Sequence, residues 1–160
     1  MTDGGSVGNI TGNAATATSA TTATTAGNAR AYLSGGNATA MTASGYLKGI
    51  NGVEMSSTTG HLMPRAGSIT GVSAVFTVSD YDGSGNDRWY VHVYKNGSSV
   101  FSAHVVTTTN GVKEITDTQA AGTDTFAAGD VLSLYMEYNI TSGNTTIDDI
   151  MANIEAVSYT

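Results

Sequence analysis

Cysteine is absent from the 160 residues, so no disulfide or thiolate site is available and nothing marks the redox compartment. Charge is scarce as well: 12% of residues are Asp, Glu, Lys or Arg, about half the usual quarter of a globular chain. Six Lys and Arg stand against thirteen Asp and Glu, giving a net charge of −7, and the basic residues never cluster. That balance argues against a nucleic-acid partner, which needs a basic surface for phosphate contact. No apolar run approaches the ~20 residues of a membrane-spanning helix, so no membrane insertion is expected. The opening MTDGG has neither the basic nor the apolar region of an export signal, and none is expected.

What is present divides near residue 60. In residues 1–60, Thr, Ala, Gly, Ser and Asn fill 45 positions, and the four charges Asp3, Arg30, Lys48 and Glu54 cancel. Residues 61–160 hold the entire net charge, the only Trp, all three Phe and six of the eight Tyr. The first part is neutral and Thr-rich, unlike the charged, Pro-rich composition of most disordered tails. Its small side chains let backbones approach closely, and Thr favours extended chain. Alone it buries too little to offset its ordering entropy. The expectation is an extended arm or stalk over 1–60, held by other copies or by a larger surface, followed by a head over 61–160.

GNA recurs at Gly12, Gly27 and Gly36, without the strict period of collagen. GNAATAT (Gly12–Thr18), the Thr/Ala runs after it and YLKGINGVE (Tyr46–Glu54) resemble shaft repeats of tailed-bacteriophage fibre proteins. The resemblance implies an obligate homotrimer with intertwined chains. A flexible linker is the alternative, although linkers seldom carry residues such as Tyr32, Leu33, Tyr46, Leu47 and Ile50.

From Gly67 the apolar pattern has period two. Val72, Ala74, Phe76 and Val78 share one face; so do Leu132, Leu134, Met136, Tyr138 and Ile140, and Ile150, Ala152, Ile154 and Ala156. RWYVHVYK and SSVFSAHVV flank Asn96-Gly97, a pair suited to a two-residue hairpin turn. With that loop, Val93 should face Val100, His92 should face Phe101, and Trp89 should face His104. Turns are expected at 82–86, 96–97, 110–111, 127–130 and 142–144. Six or seven such strands predict an all-β antiparallel sandwich. FAAGDVLSLYME (Phe126–Glu137) is similar to a segment of tumour necrosis factor-like and complement-like jelly rolls, and this resemblance implies a trimeric jelly-roll head.

The hairpin's second face would carry Tyr90, His92, Tyr94 and Phe101, which suits a trimer interface because Tyr and His offer area and a polar tip. SDYDGSGND places Asp80, Asp82 and Ser84 at alternate positions, like the opening of a calcium loop. The twelfth position is Val91 rather than Glu, so Asp87 or a remote carboxylate would have to complete the shell. The same residues also make an ordinary polar turn. Asp148 and Asp149 read as a solvated strand start. His61, His92 and His104 lack metal-ligand spacing. No nucleophile elbow or phosphate-cradling loop is present, and no enzymatic activity is expected.

These features, with the two resemblances, imply a structural protein of the virion surface. One version is a homotrimeric capsid decoration or head-fibre protein bound to coat protein through its arm. Another is a short tail fibre or tail-tip receptor-binding protein. The brevity of the chain leans towards the capsid. A carbohydrate-binding module using Trp89, Tyr90 and Tyr94 on a surface glycan is the further alternative.

Overall fold

The computed structural model describes residues 30–82, 85–139 and 144–158. Among these residues there is no helix. The strands are β1 (Arg30–Asn37), β2 (Gly45–Tyr46), β3 (Lys48–Gly49), β4 (His61–Leu62), β5 (Gly67–Tyr81), β6 (Asp87–Lys95), β7 (Ser98–Thr107), β8 (Gly111–Thr118), β9 (Asp124–Phe126), β10 (Val131–Asn139) and β11 (Thr145–Ser158). The first sheet has the order β3-β1-β11-β5-β8, with β9 also on β5; the second is β2-β10-β6-β7, with β4 also on β10. Every pairing is antiparallel. Four pairs nest outward from the middle of the chain: β6 with β7, β5 with β8, β2 with β10, β1 with β11. Such a nested set, rolled so that its members alternate between two sheets, is a jelly roll.

The core lies between the sheets, where period-two alternation puts it. Val72, Ala74, Phe76 and Val78 of β5 and Ile150, Ala152, Ile154 and Ala156 of β11 face Trp89, Val91 and Val93 of β6 and Leu132, Leu134 and Met136 of β10. Trp89 is completely buried, with its ring stacked on Tyr138 at 4.5 Å and near Phe76 at 6.4 Å.

The sandwich begins at Arg30, which corrects the boundary expected at residue 60. β1 pairs with β11 along its whole length, from Arg30↔Val157 to Asn37↔Ile150. Met41, Leu47 and Met55 are core residues. Leu47 N–H donates to Leu134 C=O at 3.0 Å, and Met55 N–H to Leu47 C=O at 2.9 Å. The small residues that look like arm composition serve close packing. A Cβ on Gly36 would lie 2.5 Å from Ile150 O, and one on Gly35 would lie 2.8 Å from Met55 Cε. YLKGINGVE forms β2, β3 and the turn after them. Residues 1–29, with most of the Ala/Thr run, lie outside the described residues, as do Ile140 and most of the expected 142–144 turn.

The β6–β7 hairpin turns at Asn96 and Gly97, both with positive φ (50° and 85°), as a type I′ turn requires. Asn96 Oδ1 accepts from Val131 N–H at 2.9 Å and its Nδ2 donates to Asp130 Oδ1 at 2.8 Å, tying the turn to the start of β10. The expected register holds only at the turn. Lys95 faces Ser98 and Tyr94 faces Ser99, but Val93 faces Phe101, because Val100 is the extra residue of a β-bulge. One inserted residue moves every later side chain to the opposite face. His92 therefore faces Ser102, Tyr90 faces His104 and Trp89 faces Val105. Phe101 packs against the core, which corrects its assignment to the outer face.

Candidate functional site

The outer face of the second sheet carries the densest chemistry. β6 presents Tyr90, His92 and Tyr94 there, because Trp89, Val91 and Val93 take the core side. β10 adds Tyr135 and Glu137, alternating with Leu134 and Met136. Tyr46 of β2 stands opposite Tyr135, which also faces His92 on its other side. Tyr46 packs edge to face on Tyr135 and Tyr94, with ring centroids 4.9 and 5.7 Å apart, and Tyr94 lies tilted to Tyr135 at 5.3 Å. Tyr90 lies 4.7 Å from the His104 ring. Such aromatic contacts add about 0.5–1.5 kcal/mol each beyond area burial, so this face holds its own shape.

His92 is gripped at both ring nitrogens. Nδ1 lies 2.9 Å from Ser99 Oγ, and Nε2 lies 2.9 Å from Glu137 Oε2. Burial pushes the His92 imidazole below its ordinary value, and Glu137 opposes part of that shift. Burial raises the Tyr46 and Tyr94 phenols, with a further rise from the neighbouring Tyr135 phenol. The Glu137 carboxylate adds to the rise of Tyr94.

Of the residues singled out from sequence, Tyr90, His92 and Tyr94 come together here, half-buried among their own chain's side chains. Phe101 and Trp89 are on the core side and take no part. Sequence reasoning missed Tyr46, because it lies in a segment read as arm, and Ser99, because the bulge was not foreseen. The alternation of β10 already pointed to Tyr135 and Glu137.

Of the calcium candidates, Asp80, Asp82 and Asp87 lie within the described residues. Asp80 is exposed near the end of β5, and Asp82 Oδ2 accepts from Asn144 N–H at 2.9 Å. Asp87 is fully buried: Oδ2 accepts from the Thr145 hydroxyl, while Oδ1 has no partner. Ser84 lies outside the described residues. Among the described residues no three His, Asp or Glu side chains are grouped as metal ligands. Asp149 sits at a break in the β5–β11 register with φ 53°, so it is part of an irregular turn of strand rather than a plain strand start.

The outer face of the first sheet is different in kind. Ser34, Gly36, Gly71, Ser73, Asn153 and Thr116 make a low floor. Large apolar side chains stand on it: Met151 (65% exposed) beside its cross-strand neighbour Val75, with Val112 and Tyr32 further out. Met151 shares one recess of about 380 Å³ with Ile50, Gly36 and Lys48, and another of about 320 Å³ with Val75 and Glu114.

No known protein family matches the chain, and no curated protein matches it. Among solved structures, the chain is similar to part of dimeric latent PorU from Porphyromonas gingivalis, with a TM-score of 0.45 and 10% identity over 81% of this chain. The chain spans 13% of the length of that protein.

Proposed function

We propose that the chain is a structural subunit of a bacteriophage virion surface: a homotrimeric decoration or head-fibre protein, with a jelly-roll head and an N-terminal segment that attaches it to coat protein. The observation that carries the trimer is the outer face of the first sheet. A solvated sheet face reads as polar, yet Met151, Val75, Val112 and Tyr32 stand out into solvent there on small neighbours. The row across that face runs from Lys48 through Gly36, Met151 and Val75 to Glu114, with a cation at one edge and an anion at the other. A ring of three copies uses a head-to-tail contact in which unlike edges meet, and such a row suits it. The virion assignment is supported by the resemblance of GNAATAT (Gly12–Thr18), the Thr/Ala runs after it and YLKGINGVE (Tyr46–Glu54) to fibre shaft repeats.

Two measurements test this reading. Sedimentation equilibrium should give a trimer, and Met151→Lys should give a folded monomer whose unfolding midpoint is lower than that of the trimer and no longer depends on protein concentration. A wild-type monomer at tens of micromolar refutes the trimer. Gold labelling of the head on source particles should mark the capsid. Label confined to the tail would instead favour a short tail fibre, and absence of label from all particles refutes the virion assignment.

A further inference from the structure

We infer that the outer face of the second sheet is a binding site for a neutral oligosaccharide, centred on Tyr46, Tyr94 and Tyr135 with Glu137, His92 and Ser99. The inference rests on the proposed virion role only for its biological setting; the site itself is argued from hydroxyl groups. Tyr32 approaches Glu155, Tyr81 donates to Gly85 C=O, and the Tyr138 hydroxyl accepts from Thr145 N–H. Among the described residues, Tyr46, Tyr90, Tyr94 and Tyr135 use their hydroxyls in no hydrogen bond within the chain. The phenols with no partner in the chain are thus gathered on one face, and the Glu137 carboxylate acts on one of them, Tyr94. None of these hydroxyls is sealed from solvent without a partner, so each is free to meet a ligand. A set left open on one face matches a ligand that brings many hydroxyls of its own.

The ligand class follows from the chemistry. A sugar ring has an apolar C–H side, which an aromatic side chain covers, and an edge of hydroxyls that act as both donors and acceptors. A carboxylate such as that of Glu137 can accept from a pair of sugar hydroxyls. Phenols both donate and accept. Glu137 puts a carboxylate at this end of the face, and the outward cation of β6, Arg88, stands at its other end, beyond Tyr90. Electrostatic complementarity therefore favours a neutral sugar over a sialylated or sulfated one. The tyrosines are already locked against one another, so little rotamer freedom is lost on binding. The face is flat, and single-site affinity should be weak, with Kd of about 0.1–1 mM.

The test uses the full chain with neutral gluco-, galacto- and N-acetylglucosamine hexasaccharides, and with sialyllactose and a sulfated oligosaccharide as anionic probes. Binding is read by saturation-transfer NMR and calorimetry. At least one neutral probe should bind, with Tyr94→Phe and Glu137→Gln each weakening it about tenfold while Trp89 fluorescence reports an unchanged fold. Those substitutions keep size and shape, so loss of binding reads the hydroxyl and the charge rather than packing. No neutral binding at about 10 mM, binding unmoved by either substitution, or preference for the anionic probes would each overturn the inference. Sedimentation of the same samples separates the two proposals. A monomer that binds sinks the trimer alone, and a trimer that does not bind sinks the oligosaccharide site alone.

Discussion

Removing residues 1–29 and removing residues 1–60 should have opposite consequences. The first deletion leaves every described strand in place. The second removes β1, β2 and β3 together with Met41, Leu47 and Met55, all buried. Each such side chain contributes about 1.5–3 kcal/mol on burial, so their loss removes about 5–9 kcal/mol. That is comparable to the entire stability of a domain, about 5–15 kcal/mol. It also strips β11 of the partner that covers it from Ile150 to Val157, leaving an open strand edge of the kind that drives aggregation. Trp89 is the sole Trp and is fully buried, so its fluorescence is a direct reporter of the core. In urea titrations, 30–160 should unfold cooperatively near the full-length midpoint, whereas 61–160 should show solvent-exposed Trp emission without denaturant, or precipitate. A cooperative transition of 61–160 at the same midpoint would refute the assignment of residues 30–60 to the sandwich.

Two further outcomes follow from the same geometry. Phe101→Asp places a carboxylate against the core beside Val93, so it should lower stability by about 2–3 kcal/mol without acting on subunit contacts; loss of trimer with the same thermal midpoint as the Met151→Lys monomer would show that Phe101 faces outward. Burial lowers His61 and His92, so the unfolded chain takes up protons first as pH falls through about 6.5. Their stabilising effect is complete above that pH and declines as pH drops towards the folded values. Tyr46, Tyr94 and Tyr138 are raised, chiefly by burial, so stability should also fall as pH climbs past about 10. Urea midpoints measured from pH 5 to 11 check both limbs, and a flat profile between pH 5 and 7 would contradict the histidine environments.

The inner faces of β5, β10 and β11 were legible because one side of each strand is apolar at strict period two. The Asn96-Gly97 turn was legible because few dipeptides accept two positive φ angles. Three things were not. The bulge at Val100 lies between residues that would suit either face, so nothing local distinguishes the two registers of β7. β1 carries Ser34, Gly35 and Gly36 where a large residue would have advertised a strand; their meaning lies in Met55, Ile150 and Leu134, which approach them only in the fold. Tyr46 could not be joined to Tyr94 and Tyr135 from sequence, because a two-residue strand has no period of its own and only its pairing with β10 places it.

The two outer faces divide the surface by what remains unspent on them. On the first sheet the polar groups largely satisfy one another: Ser34 donates to Asn153 at 2.6 Å, Thr70 donates to Glu155 at 3.0 Å, and Arg30 pairs with the same Glu155. What is left over there is apolar, in Met151, Val75 and Val112, and apolar surface is best used by a protein copy of complementary shape. On the second sheet the apolar parts of the rings satisfy one another by edge-to-face and tilted packing, and what is left over is hydroxyl and carboxylate. The faces lie on opposite sides of one sandwich, so a copy seated on the first does not cover the second. Three heads joined through their first sheets would then turn three tyrosine faces outward. Weak single sites are adequate in that arrangement, because simultaneous engagement raises avidity by orders of magnitude when the spacing of the ligands allows it.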